Sequence, residues 1–293
     1  MHLKEAKGIL SAHNGMNISR GCTHGCIYCD SRSKCYQIEH DFEDVQIKSN
    51  APVLLEDKLK RKRKKCIVGT GSMSDPYISI PENLVNIRAC LEIIDKYSHG
   101  ISIITKSDLI LRDLDLLISI NKKAKCIVQI TLTTYDEELC RLLEPNVCTT
   151  KRRFEVLKTM RDNGIQTIVW LCPFLPFIND TEENLLGLLD YCIEAKVYGI
   201  LFWGTGMTLR DGSRDYFYSK LDEHFPGLKN TYQKKYGNSY TISSDNNKTL
   251  WNLFHTICKK NNIVTGNDAL FEYMSTLDVN ALEKKNTAQI DLF

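Results

Sequence analysis

The chain has 293 residues, 43% of them hydrophobic and 25% charged, with a formal net charge of +2. This composition excludes a disorder-dominated chain and a global electrostatic field for nucleic acid, and the length admits one α/β barrel-type domain or two small domains. The start MHLKEAKGIL is too short and too charged for a signal peptide, no apolar run approaches the ~20 residues that span a bilayer, and twelve cysteines then indicate a reducing, cytoplasmic setting rather than a disulfide framework.

Along the chain, short apolar runs alternate with amphipathic segments, the pattern of βα units around a parallel sheet. Predicted strands are 16–19, 66–69, 101–105, 127–133, 166–171 and 198–203. Predicted helices between them are 82–96, 109–120, 151–163 and 181–195, with Thr181 as N-cap ahead of Glu182 and Glu183 and Gly164 as a helix stop. Six strands in this order fit a partial (β/α)6 TIM-type barrel, whose ligand lies on the loops after the C-terminal ends of the strands. From about Tyr216 helical segments take over, at 216–224, 228–236, 248–261 and 268–274. The expected organisation is a barrel over 1–213, a helical extension packed on it over 214–276, and a flexible tail over 277–293.

The chemistry concentrates after the first strand, in Gly21-Cys22-Thr23-His24-Gly25-Cys26-Ile27-Tyr28-Cys29. Three thiols from one CxxxCxxC loop can ligate three irons of a 4Fe–4S cluster and leave the fourth iron without a protein ligand. The spacing also admits a structural zinc site completed by Cys35, His24 or His40, although the second CxxC-like pair common in such sites is missing. The other cysteines lie among apolar residues, where a small buried hydrophobe is the default. After Cys192 only Cys258 remains, so no C-terminal set for an auxiliary cluster exists.

The loop, with its aromatic residue before the last cysteine, resembles the cluster loop of the radical S-adenosylmethionine (SAM) enzymes. Further stretches narrow the resemblance to the spore photoproduct lyase-like branch: MNISRGCTHGCIYCDSRS, GTGSMSDPY, the Thr-Lys after the third strand, EPNVCTTKRRF and IVWLCPFLPFIND. It covers roughly Gly15 to Asn179, and YFYSKLDEHFPGL and KKYGNSY also look like this branch.

The resemblance implies a partial barrel of the radical SAM type, with a 4Fe–4S cluster on Cys22, Cys26 and Cys29 and S-adenosyl-L-methionine as second cofactor. By position the loop residues Gly69, Thr70, Gly71, Ser72 and Asp75 match the superfamily's glycine-rich stretch at the methionine amino group, and Tyr28 joins the cofactor-binding set. The cations Lys106, at a strand end, and Arg153, at a helix start, together suit the methionine carboxylate, and Thr131 and Thr133, alternate residues of the fourth strand, either offer hydroxyls to the ribose from the barrel interior or are β-formers. Asp75 would accept from the methionine ammonium group. The implied activity is reductive cleavage of SAM to a 5′-deoxyadenosyl radical, fed by a flavodoxin or ferredoxin, and hydrogen abstraction from DNA or a nucleic-acid-derived substrate in DNA repair. The alternatives are a protein or RNA substrate, or a metal-stabilised adaptor that performs no chemistry. One departure stands out: the branch carries a hydrogen-donating cysteine in the loop after the second strand, where this chain has Ser72, so Cys35 and Cys172 become the candidate donors.

Other features stand apart from the barrel. Lys58 to Lys65 carries seven cations in eight residues, before the second strand and so toward the barrel's N-terminal face. Arg32, Arg210 and Arg214 are expected near an anionic substrate, with Tyr216, Phe217 and Tyr218 either stacking on it or anchoring a helix, and Trp203 is read as core. The terminal Gln289-Ile290-Asp291-Leu292-Phe293 resembles the pentapeptide by which bacterial repair proteins dock on the sliding clamp, with Leu292 and Phe293 filling an apolar pocket.

Overall fold

Residues 1–277 are described by the computed structural model. The chain enters through β1 (His2–Lys4), β2 (Gly15–Met16) and β3 (Ser19–Arg20), then β4 (Gln46–Lys48) and α1 (Ala51–Lys60). Strand–helix steps follow: β5 (Ile67–Thr70) and α2 (Pro81–Lys96), β6 (Gly100–Thr105) and α3 (Leu114–Lys123), then β7 (Cys126–Leu132) with α4 (Glu137–Leu143) and α5 (Thr150–Asp162). β8 (Gln166–Leu171), α6 (Glu182–Glu194) and β9 (Gly199–Leu201) complete this series. The rest comprises β10 (Gly206–Thr208), α7 (Ser213–His224), α8 (Leu228–Tyr236), β11 (Thr241–Ser243), α9 (Asn247–Lys260) and α10 (Asn267–Ser275).

The main sheet runs β2-β5-β6-β7-β8-β9 with every neighbouring pair parallel, which makes it the six-stranded partial TIM-type barrel expected from the alternating pattern. β7 lies in its middle, and all seven of its residues are buried. A continuous β-branched and apolar run such as CIVQITL suits a strand covered on both faces. Parallel pairing aligns the C-terminal ends, so the residues after β5, β6, β8 and β9 (Gly71, Lys106, Cys172 and Phe202) emerge on one face. The cationic run ends just before β5 and therefore lies at the opposite face, as its position in the sequence indicated.

The first predicted strand divides in two. Gly15–Met16 pairs with β5, whereas Ser19–Arg20 turns away to pair antiparallel with β4, which pairs in parallel with β1. The chain must leave the barrel sheet here to form the cysteine loop, and Gly21 makes the turn at φ 85°, where a Cβ would lie 2.3 Å from the Phe42 carbonyl oxygen. Two helices escaped the sequence pattern. α1 buries Ala51, Leu55 and Leu59 at i, i+4 and i+8, and its basic end had masked that stripe. α4 is only seven residues long, with Asp136 Oδ1 accepting from the Leu139 N–H at 2.9 Å as its N-cap.

The C-terminal region is helical but also contains β11, which pairs antiparallel with β10 in a two-stranded ribbon. α9 joins the main core through Leu250, Phe254 and Cys258, again at i, i+4 and i+8, in one apolar cluster with Leu185, Leu188 and Leu189 of α6. Truncating a fully buried phenylalanine such as Phe254 costs about 3–5 kcal/mol, so this helix contributes strongly to stability. Cys90, Cys126, Cys140, Cys192 and Cys258 are buried as small apolar side chains. The clamp-type peptide Gln289–Phe293 lies outside the described residues.

Candidate active site

The cysteine loop is held by backbone hydrogen bonds to a part of the chain far away in sequence. Ile27 N–H donates to Leu143 O at 3.0 Å, Asn146 N–H to His24 O at 3.1 Å, and the Asn146 side-chain amide to Thr23 O at 2.9 Å. On the other side Cys22 N–H donates to Phe42 O at 3.0 Å, and Ser74 Oγ donates to Gly21 O at 2.5 Å. Gly25 bends the loop at φ 72° against the Pro145 and Asn146 side chains.

Among the described residues no three His, Cys, Asp or Glu side chains are drawn together as a preformed metal cage. The donor chemistry nevertheless fits an iron–sulfur cluster. Burial pushes the Cys22 thiol up to about 12, helped by Asp75 and Cys29, and burial also raises Cys26, against a counteracting Lys106. Buried thiols that resist ionisation in this way would be compensated by metal cations, which deprotonate their thiol ligands outright. The candidate fourth ligands of a zinc site have other partners: His24 Nδ1 is 3.5 Å from Asp75 Oδ2, His40 Nδ1 is 2.9 Å from Asp41 O, and Cys35 accepts from Arg210 at 3.4 Å.

Behind the loop lies a buried charge network that sequence reasoning missed. Glu144 follows α4 and is almost fully buried, with Arg153 Nη2 at 2.6 Å from Oε2. Its other oxygen accepts from Tyr28 Oη and from Thr133 Oγ1, the latter at 3.0 Å. Burial alone would raise the Glu144 carboxyl, but Arg153 and then Lys106 bring it down to about 2, so it stays ionised. Arg153 is completely buried and also donates to Lys106 O at 3.0 Å and Thr131 O at 3.1 Å. One ion pair thus ties the aromatic residue of the cysteine loop to the ends of β6 and β7. The signal for Glu144 lay inside the EPNVCTTKRRF stretch, but no periodicity marks a single buried carboxylate.

Asp75 performs a similar task. Its carboxylate accepts from Thr105 Oγ1 at 2.7 Å, Lys106 N–H at 2.8 Å and Tyr77 N–H at 2.9 Å, which joins the loop after β5 to the end of β6. Gly71, at φ 101°, permits this approach, since a Cβ there would lie 2.0 Å from Ile104 O.

A cavity of about 560 Å³ opens at the C-terminal face of the barrel. Its inner end is lined by Cys26, Tyr28, Cys29, Gly71, Ser72, Lys106 and Thr131, and its outer end by Trp170, Cys172, Trp203, Asn247 and the β10–β11 ribbon. Of the sequence-derived cofactor set, Tyr28, Gly71, Ser72, Lys106 and Thr131 therefore meet in one cavity. Gly69, Thr70, Asp75, Thr133 and Arg153 do not line it. Asp75, Thr133 and Arg153 have their polar groups engaged within the protein, because each sits where two loops must be joined. Lys106 differs from Arg153: among the described residues no carboxylate pairs with its Nζ, which lies 5.8 Å from the Tyr28 ring centroid. Burial works against its charge, yet Cys26 and Glu144 more than offset this and raise its pKa.

The two candidate hydrogen donors separate in the same way. Cys172 lines the cavity, with burial pushing its thiol up to about 11, whereas Cys35 is exposed outside it on the short turn Lys34–Tyr36. The three arginines expected to meet substrate have internal partners instead. Arg32 lies between the Phe42 and Tyr216 rings and pairs with Glu43. Arg214 donates to Leu209 O, Asn238 O and Ser239 O, and Arg210 donates to Tyr36 Oη at 3.1 Å. Phe217 and Tyr218 anchor α7 in a satellite core. Trp203 is not core: it is 48% exposed and lines the cavity, because β9 ends at Leu201.

Comparison with known proteins bears on this geometry. The family model of the Radical SAM superfamily matches residues 16–189. An uncharacterized protein of Methanocaldococcus jannaschii is 30% identical over 253 residues, covering 84% of this chain and 86% of that protein. An uncharacterized protein of Mycobacterium tuberculosis is 28% identical over 227 residues, 75% of this chain but 66% of that protein, so the chain spans just under two thirds of its length. Among solved structures, a mutant of spore photoproduct lyase has a TM-score of 0.64 at 13% identity, covering 88% of this chain and 78% of that one. Spore photoproduct lyase complexed with dinucleoside spore photoproduct has a TM-score of 0.59 at the same identity and coverage. At such identity the likeness is one of fold.

Proposed function

Because the chain belongs to the Radical SAM superfamily and is an enzyme of that kind, we propose that it acts on DNA or a nucleic-acid-derived substrate, in a repair role. The observation that carries this reading is the single cavity running from Cys26 and Cys29, past Lys106, to Trp170 and Trp203. Its support is the fold-level likeness to a lyase complexed with a dinucleoside photoproduct.

In this reading Cys22, Cys26 and Cys29 hold the 4Fe–4S cluster. When bound, the cluster supplies the electron that splits the sulfonium of SAM into methionine and a 5′-deoxyadenosyl radical. Lys106, charged and without a carboxylate partner, is the group for the methionine carboxylate, in place of the Lys106–Arg153 pair. Gly71 and Ser72 offer backbone at close range, and Thr131 offers a hydroxyl to the ribose. Asp75 and the Glu144–Arg153 pair act on the reaction only by holding Lys106 and Tyr28. A flavodoxin or ferredoxin is the class of protein that delivers the electron.

Ser72 lines the cavity but cannot serve as an efficient hydrogen-atom donor, because an O–H bond is far stronger than an S–H bond. Cys172 is the lining thiol outside the cluster motif. Its raised pKa keeps it as S–H, the form that gives a hydrogen atom to a substrate radical. The thiyl radical left behind must then regain one electron and one proton from an external donor. Gln289–Phe293 would recruit the enzyme to a sliding clamp; deleting those residues should abolish clamp binding and leave SAM cleavage intact.

The decisive experiment is anaerobic. Protein with reconstituted cluster, SAM and dithionite should yield 5′-deoxyadenosine, with deuterium in it when the DNA supplied is deuterated. Deuterium from labelled protein or RNA pools, and none from DNA, would overturn the DNA assignment. An intact cluster that forms no 5′-deoxyadenosine would overturn the enzymatic reading itself.

A further inference from the structure

The outer end of the cavity carries a built unit outside the residues assigned above to the cofactor. Trp203 presents an indole surface there, and it is supported from behind. Trp170 lies 5.0 Å away between ring centroids at an interplanar angle of 45°, and Phe271 lies 6.5 Å away at 37°. Trp170 is itself fixed inside the barrel, since its Nε1 donates to Gln129 Oε1 at 2.6 Å and Gln129 Nε2 donates to Ser102 Oγ at 2.8 Å. Trp203 is thus a braced aromatic surface facing open space.

Beside it stands an amide of defined orientation. Asn247, the first residue of α9, lines the same cavity. Its Oδ1 accepts from Thr205 N–H at 2.7 Å and from Thr205 Oγ1 at 3.2 Å, which determines which end of the amide is oxygen. Nδ2, with two N–H donors, is then left for a ligand. Gly204 makes this packing possible: at φ 86°, it would bring a Cβ within 2.4 Å of Asn247 Oδ1. The neighbouring lining groups Thr205, Thr241 and Ser243 are neutral, and the Asp30 carboxylate in the same lining is paired with Arg210 at 3.3 Å.

A flat indole surface favours a planar π system, and an oriented N–H donor next to it favours a ring carbonyl or ring nitrogen in that plane. The chemical class that offers both is a nucleobase. We propose that Trp203 and Asn247 form a subsite for one base of the substrate, which stacks on the indole and accepts a hydrogen bond from Asn247 Nδ2. This rests on the nucleic-acid reading above. It places the base at the β9 edge of the sheet, three and four strands from β6 and β5, after which Lys106 and Ser72 follow.

The test is equilibrium binding, without reductant, of the full chain with reconstituted cluster to a labelled short thymidine oligonucleotide and to an abasic strand of equal length. The thymidine strand should bind about tenfold more tightly than the abasic strand. Trp203→Leu and Asn247→Asp should each remove most of that ratio, Trp203→Phe should retain it, and thermal melting should show each variant folded. Equal binding of both strands by the unmodified protein, or an unchanged ratio in Trp203→Leu, would overturn the subsite. So would a Trp203→Leu variant that loses SAM affinity with the ratio intact, because the ring would then serve the cofactor's adenine. Since no turnover is involved, a protein that forms no 5′-deoxyadenosine can still pass, which separates this inference from the proposed radical chemistry.

Discussion

The two ends of the cavity are held by different physics. The inner end is fixed by buried ions: Glu144 against Arg153, with Arg153 also on the carbonyls of Lys106 and Thr131, and Asp75 on the Lys106 N–H. The outer end is fixed by ring contacts and neutral hydrogen bonds, Trp170 on Trp203 and Asn247 on Thr205. A buried ion pair is strongly directional and is costly to break, so it suits a cofactor that must sit in one place. Neutral contacts tolerate small displacements, which suits a substrate that enters and leaves.

Several outcomes would break or sharpen this contrast. The largest concerns the loop itself: Cys26→Ala should reduce bound iron and sulfide, and 5′-deoxyadenosine formation, to background, as read by metal analysis and chromatography. Glu144→Ala leaves the buried Arg153 without its counter-charge and should lower stability by about 3–5 kcal/mol in denaturant unfolding. Loss of less than about 1 kcal/mol would mean that the inner end is not held by this ion pair.

The pH dependence follows from the same group. Arg153 and Lys106 hold Glu144 at about 2 against its burial, below the ordinary carboxylate value of about 4.3. A depressed folded-state value means that the stabilisation is complete above the ordinary range and is lost as pH falls through about 2. In the cluster-free Cys26→Ala background, the unfolding midpoint should therefore decline between about pH 4.5 and 2, and Glu144→Gln should flatten that part of the profile. Asp75→Asn should cost about 1–3 kcal/mol and weaken SAM binding by shifting Lys106, measured by calorimetry. The smallest effect belongs to the outer end, where Thr205→Val removes the hydroxyl's hydrogen bond to Asn247 Oδ1 at 3.2 Å, keeps the backbone one, and should cost about 1 kcal/mol in denaturant unfolding.

Legibility in the sequence tracked the same division. The cysteine spacing, Gly71 after β5 and Lys106 after β6 are local signals, and each places side chains or backbone in the cavity, Cys26 and Cys29 among them. Arg153 was legible as a cation at the start of a helix but not as the buried partner of Glu144, because that pairing depends on how α4 and α5 meet. Trp203 read as core because an apolar residue ending a strand run usually is, and only the end of β9 at Leu201 exposes it. Asn247 carries no sequence signal at all, since its role depends on Gly204 some forty residues earlier.

The sequence by itself determined the alternation of strands and helices, hence the parallel barrel, and the loop of thiols that follows its first strand. These are periodicities and spacings, set by local backbone geometry and ligand chemistry. Only the tertiary structure decided which charged residues face the cavity and which are consumed in holding it, and which aromatic residue is left open at its mouth. Those outcomes depend on desolvation and on neighbours distant in the chain, and no local pattern encodes either.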